Sequence, residues 1–224
     1  MPENFRLLKQ VLSKLDDAGC LKHVILAGSW ASYFYAHYYK SPKYRPLIRT
    51  TDIDFLIGDR RKLDASLDLN IGDLLEELGF VKLNHPNGLM KYESKDLTVE
   101  FLVPDIGRGI NKPVKIKGLN TTAQALRFMN MLTEDPLVVD YEGMKIRVPD
   151  PVAYAFHKLI ISERRTKNDK QKRDYRTAIE LMEFLKSQGM ERNLLSYFNS
   201  MPKGWRKKVQ SSLKADGDSD ILPF

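Results

Sequence analysis

Asp52 and Asp54 are acids at alternate positions of an otherwise apolar run, Arg49-Thr50-Thr51-Asp52-Ile53-Asp54-Phe55-Leu56-Ile57. An extended strand turns successive side chains to opposite faces. The two carboxylates therefore share one face, roughly 6–7 Å apart at Cα, while Ile53, Phe55 and Ile57 fill the other. Two ionised carboxylates that close repel each other, and their usual remedy is a shared cation. The pattern reads as a divalent-metal site.

Just upstream, Val24-Ile25-Leu26-Ala27 reads as a short buried strand, and Trp30 to Ala36 continues as a helix after Gly28-Ser29. A glycine at such a junction lets backbone N–H groups approach an anion, and the helix N-terminus adds favourable partial charge. Ser29 can cap the helix or hydrogen-bond a phosphate oxygen. A phosphate cradle followed by metal ligands suits a metal-bound nucleoside triphosphate.

A third acid lies in Leu97-Thr98-Val99-Glu100-Phe101-Leu102-Val103. Leu97, Val99, Phe101 and Val103 take one face of this expected strand; Thr98, Glu100 and Leu102 take the other. An acid inside an apolar strand is rare unless paired or bound to metal. Glu100 is thus the candidate third carboxylate, with Asp105 and Asp96 in reserve. The competing reading is an edge-strand glutamate facing water.

Gly28-Ser29 before a helix, then Asp52-Ile53-Asp54 on the next strand, resembles the nucleotidyltransferase superfamily with its polymerase-beta-like fold. The form Arg49-x-Thr51-x-Asp-x-Asp-Phe is most similar to the branch holding abortive-infection toxins and uncharacterised bacterial nucleotidyltransferases. The resemblance covers residues 20 to 150, and the rest of the chain loosely. It implies an α+β fold: a nucleotidyltransferase core with a mixed sheet flanked by helices, followed by a helical C-terminal domain. It also puts Glu100 at the third-acid position, where aspartate is the commoner residue. Two metal ions about 3.5–4 Å apart could then activate an acceptor hydroxyl and stabilise the leaving pyrophosphate. Asp52 and Asp54 would bridge both ions. Glu100 would ligate the ion at the attacking oxygen and could accept its proton, and Gly28 and Ser29 would hold the terminal phosphates. The expected cofactor is Mg2+, two ions, with Mn2+ as substitute, and the donor is a nucleoside triphosphate. Arg49, three residues before the first acid, is expected to touch a phosphate.

The chain has 224 residues, enough for one large or two small domains. Its one cysteine, Cys20, excludes an internal disulfide and a cysteine-built metal site and reads as a small core residue. His23, His37, His85 and His157 lack metal-ligand spacing. Ser29 lacks the Gly-x-Ser-x-Gly elbow of a hydrolase nucleophile. The polar start and the lack of a long apolar run give a cytoplasmic expectation with no membrane partner. Residues 151–224 carry a net charge of +6, against +1 for the other 150. A basic region suits an anionic acceptor such as an RNA end, or is an ordinary solvated helical surface.

Periodicity predicts helices over 4–18 and 64–78, the second running through Leu67, Ile71, Leu74 and Leu75 to Gly79. Phe80–Leu83 is an expected strand. Residues 90–93 and 97–103 form an expected hairpin around Ser94-Lys95-Asp96, and 137–139 and 144–148 a second one. Residues 121–131 read as a helix capped by Thr121 or Thr122. Residues 38–49, rich in tyrosine, base and proline, read as a long loop. Tyr33, Phe34 and Tyr38 read as a core stripe.

Pro149-Asp150-Pro151 marks the boundary between a 1–149 core and a 150–224 helical domain, Asp150 and Pro151 being a helix-start signal. Helices are expected over 151–165, 169–187, 191–199 and 203–213, then a loosely held acidic tail from Ala215. In this part the resemblance makes Lys158, Arg173 and Asp174 candidates for the site. An ordinary salt-bridged helix surface is the rival reading, preferred for Arg173 and Asp174 but not for Lys158. The expected activity is transfer of a nucleoside monophosphate to a hydroxyl of an RNA end or a small molecule such as a sugar or aminoglycoside. The alternative is a catalytically inactive nucleotide- or RNA-binding regulatory module of the same fold, against which the three acids argue.

Overall fold

Leu7, Leu8, Val11, Leu12 and Leu15 repeat at helical spacing, and that stripe is the buried face of the first helix, α1 (Glu3–Asp17). The structure is a computed structural model that describes residues 3–48, 50–105, 112–163 and 168–222. Beyond α1 come β1 (Ile25–Leu26), α2 (Gly28–Tyr39), β2 (Asp52–Leu56), α3 (Arg60–Ser66), α4 (Ile71–Glu76), β3 (Val81–Asn84), β4 (Met90–Glu93) and β5 (Thr98–Pro104). Then follow β6 (Val114–Ile116), β7 (Thr121–Leu126), β8 (Leu137–Tyr141), β9 (Met144–Val148), α5 (Pro151–Ser162), α6 (Asn168–Ser187), α7 (Glu191–Ser200) and α8 (Lys203–Asp216). The fold is α+β with a mixed sheet, as expected.

Seven of the described strands form one sheet in the order β1-β2-β5-β4-β3, with β7 added to β5 and β6 to β7. β5 is the hub. It runs parallel to β2 along one edge; its other edge is shared by β4 over Thr98–Val99 and by β7 over Leu102–Pro104. One face carries Ile53, Phe55, Val99 and Phe101, all buried, with the Phe55 and Phe101 rings stacked 5.8 Å apart. β8 and β9 form a separate hairpin.

The chain divides into two compact units, residues 1–39 with 47–149, and residues 40–46 with 150–224. In the second, α6, α7 and α8 pack on α5, which is buried on nearly every side. Its start is as the sequence signals: Pro151 is in the first turn and the Asp150 side chain accepts from the Ala153 N–H at 2.9 Å. Among the described residues no helix is long and apolar enough to cross a membrane.

Four local expectations are corrected. The single helix over 64–78 is two, α3 and α4. The Leu69 N–H bonds to the Gly118 carbonyl at 3.0 Å instead of continuing the helix, and α3 starts early because Asp59 caps it through the Lys62 N–H. Residues 121–131 begin as a strand, β7, not a helix. The helix-forming residues of 123–126 yield to ladder bonds with β5 and β6, and Thr121 is buried with its hydroxyl accepting from Tyr92 at 2.8 Å. The tail is tied down: Ile221 and Leu222 are buried, and Asp218 accepts from the Tyr175 hydroxyl at 2.6 Å. Tyr38 is exposed, while Phe34 is buried among the rings of Tyr33 and Tyr141.

Candidate active site

Parallel pairing of β2 with β5 sets Asp52 beside Thr98 and Asp54 beside Glu100. Residues paired across a parallel ladder point to the same face, and neighbouring strands lie about 4.8 Å apart. Asp52, Asp54 and Glu100 therefore occupy one face of two adjacent strands. All three are half-buried, while the alternating residues behind them are fully buried. Strand alternation selects the face; pairing register brings the third acid alongside. Asp105 lies an odd number of residues beyond Glu100, hence toward the opposite face, and faces Arg127 at 3.8 Å. Asp96 sits in the turn before β5, its N–H on the Ser94 hydroxyl.

The glycine junction meets one of these acids, Asp54. The Ala27 N–H donates to the Asp54 carbonyl at 2.8 Å, which ties the end of β1 to β2. Gly28 follows with φ +63°, a left-handed conformation that favours glycine, and opens α2. A Cβ at this position would lie 3.2 Å from Asp54 Cγ and inside the contact distance of its Oδ2. Glycine is thus required twice, for backbone sign and for space. Ser29, half-buried, is in the first turn of α2, where backbone N–H groups lack helical partners. The N-terminal end of a helix meets the Asp54 carboxylate here, with Asp52 on the same face of β2, an arrangement suited to a cation that links carboxylates to phosphate.

Lys91, which no pattern in the sequence singles out, completes the group. Its Nζ donates to Glu100 Oε1 at 2.6 Å, with side-chain exposures of 24% and 15%. Antiparallel pairing of β4 with β5, Tyr92 opposite Val99, places Lys91 across from Glu100. Counting back from the expected three-residue turn Ser94-Lys95-Asp96 would set Lys91 opposite Val99; the hairpin closes one residue tighter, with the Ser94 N–H on the Leu97 carbonyl at 2.8 Å, and that register is what brings Lys91 to Glu100. Among the described residues no three His, Cys, Asp or Glu side chains are gathered as a metal cage; Glu100 is engaged by Lys91 instead. In donor chemistry the set fits a divalent ion: hard carboxylate oxygens on one face, next to a cradle that a Cβ would fill.

Arg49 lies outside the described residues. Lys158 belongs to the second unit, where its Nζ donates to Asp174 Oδ1 at 2.7 Å and sits 5.4 Å from the centre of the Tyr154 ring. Both members are nearly buried, at 10% and 8% exposure. Asp174, expected from sequence on the surface, is thus the inward partner of Lys158; Arg173 is exposed. Cys20 is buried, and burial pushes its thiol up to about 12, which keeps it protonated and inert.

A family model described as Nucleotidyltransferase matches residues 6–201. No curated protein matches the chain. Among solved structures, similarity is found to a solution structure of the antibiotic-resistance factor ANT(2'')-Ia, at 14% identity and TM-score 0.43 over 95% of this chain and 94% of that one. A crystal structure of ANT(2")-Ia in complex with adenylyl-2"-tobramycin gives 14% and 0.43 over 86% and 97%. An antigenic nucleotidyltransferase-like protein from Paracoccidioides brasiliensis gives 17% and 0.43 over 93% and 92%. Likenesses this distant bear on neither substrate nor acceptor.

Proposed function

This chain belongs to the nucleotidyltransferase family, and from that premise we propose that it is a metal-dependent enzyme acting at the face shared by Asp52, Asp54 and Glu100. The observation that carries the reading is the register of β2 on β5, with Gly28 against Asp54. Asp52, Asp54 and Glu100 would hold Mg2+, with Mn2+ able to substitute; such an ion, when bound, supplies charge neutralisation at the triphosphate and a more acidic acceptor hydroxyl.

The chain's own groups do the rest. The N–H groups at Gly28 and Ser29 orient the terminal phosphates, so that the acceptor oxygen approaches the α-phosphorus in line with the departing pyrophosphate. A bond forms between acceptor oxygen and Pα, the Pα–O bond to the β-phosphate breaks, and the hydroxyl proton passes to Glu100. Little covalent help is needed, so positioning and charge dominate. Arg49 and Lys158 complete the proposal as phosphate contacts, as the family resemblance implies.

The acceptor we propose is anionic, an RNA end, supported by the +6 charge of residues 151–224. A small-molecule hydroxyl acceptor is distinguished by salt: RNA binding should weaken steeply between 50 and 200 mM salt, on the order of a hundredfold or more if several phosphates are contacted. A non-catalytic nucleotide-binding module is the second reading, favoured by the ion pair that occupies Glu100. The test is transfer from labelled triphosphates. Asp52→Asn and Asp54→Asn should each lose at least about a thousandfold in rate while melting like the wild type, the scale on which removing transition-state charge stabilisation acts. Full activity in both variants would falsify the assignment.

A further inference from the structure

The chemistry above makes no use of Lys91, yet the strand pairing delivers it to the third acid. Lys91 and Glu100 face each other across β4 and β5, and their contact is 2.6 Å. Contrast Lys145 and Asp140, which pair at the same distance but at 68% and 60% exposure. Such an exposed pair is screened and worth little. The Lys91–Glu100 pair is three-quarters or more removed from water on each side. Its members are partly desolvated, and separating them leaves charges that need replacement partners.

The arithmetic of charge gives the pair a consequence. Three carboxylates on one face carry three negative charges, and Lys91 reduces them to two. A divalent cation arriving alone gains only Asp52 and Asp54 unless it takes Glu100 from an ammonium group. A cation arriving on a triphosphate brings anionic oxygens to which that ammonium can turn. We infer that Lys91 is a positioning residue, an internal counter-ion that keeps Glu100 out of the metal site until metal and triphosphate arrive together. The inference rests on the metal-site reading of Asp52, Asp54 and Glu100. Lys91 thereby couples the two ligands: each raises the other's affinity, and the coupling is reciprocal.

The test is binding of Mn2+, followed by titration calorimetry at fixed pH, with and without a non-hydrolysable triphosphate analogue. Wild-type protein should bind Mn2+ weakly alone and more tightly with the analogue. Lys91→Met should raise the affinity for Mn2+ alone by at least about tenfold, the scale on which one neighbouring charge acts at a carboxylate, and the gain from the analogue should shrink. Lys91→Arg should behave as wild type. In a Glu100→Gln background Lys91→Met should change nothing. If Lys91→Met does not fold, Lys91→Gln replaces it, with the same expectation. Unchanged or weaker Mn2+ binding in the neutral variants overturns the coupling alone, provided Asp54→Asn still weakens Mn2+ binding. Indifference of Mn2+ to Asp54→Asn overturns the metal-site reading and this inference with it.

Discussion

Gly28 is the residue on which most of the site's geometry turns. Its φ is positive and its missing side chain is what lets Asp54 lie against the start of α2. Gly28→Ala therefore meets two penalties, about 1–2 kcal/mol for a left-handed non-glycine residue and the overlap with Asp54. We expect a lower unfolding midpoint in urea and at least about a tenfold loss of triphosphate affinity, since repositioned N–H groups no longer meet the anion. Calorimetric titration showing unaltered affinity would remove the cradle from the mechanism. The residue types themselves are legible in the sequence: an acid at alternate positions of an apolar strand is costly, so its presence speaks of chemistry. Lys91 and Asp174 are not legible in that way. A lysine on a strand and an aspartate on a charged helix are ordinary in sequence, and only their partners, Glu100 and Lys158, make them informative.

At the scale of elements, β5 is what gathers the site. Pairing with β2 sets Glu100 beside Asp54, and pairing with β4 sets Lys91 beside Glu100. Both strands are readable from alternation; that β2 and β5 are neighbours is not, since 41 residues separate Leu56 from Thr98 and no local pattern encodes the partner. The same contrast explains the break between α3 and α4. A helix pattern runs through Leu67 to Leu75, but the Gly118 turn packs so closely there that its carbonyl takes the Leu69 N–H. A Cβ on Gly118 would sit 2.8 Å from the Leu67 carbonyl oxygen and 3.0 Å from Asp64 Cα. Gly118→Ala should therefore destabilise the protein by about 2 kcal/mol, the usual cost of overpacking a rigid site, measured by urea unfolding. A neutral result would mean that this backbone gives way easily. β7 makes the point again, because ladder bonds to two neighbours outweigh the local preference of Ala123, Gln124, Ala125 and Leu126 for helix.

For the whole molecule, the second unit draws on a segment far away in sequence. Residues 40–46 group with 150–224, and Tyr44, buried, stacks on Phe184 with centroids 4.8 Å apart and planes 23° apart. Tyr44→Ala should cost about 3 kcal/mol, as buried aromatic truncations do, and should show as an earlier loss of helical circular dichroism in denaturant. An unshifted curve would mean that the segment adds nothing to the helical unit. Composition describes this part of the chain as basic and helical, which it is; it cannot show that a loop of tyrosine, base and proline belongs to that unit.

The sequence by itself determined the chemistry on offer and the periodic elements that carry it. Acids, a glycine junction, apolar stripes and a proline-marked helix start are local properties, set by side-chain solvation and backbone sterics within a few residues. Tertiary structure alone decided which of those groups meet. Register between distant strands, the pairing of Glu100 with Lys91 and of Lys158 with Asp174, and the interruption of a helix by a carbonyl from elsewhere all depend on contacts between distant residues. No run of neighbouring residues contains those contact energies, and they exist only once the chain has closed on itself.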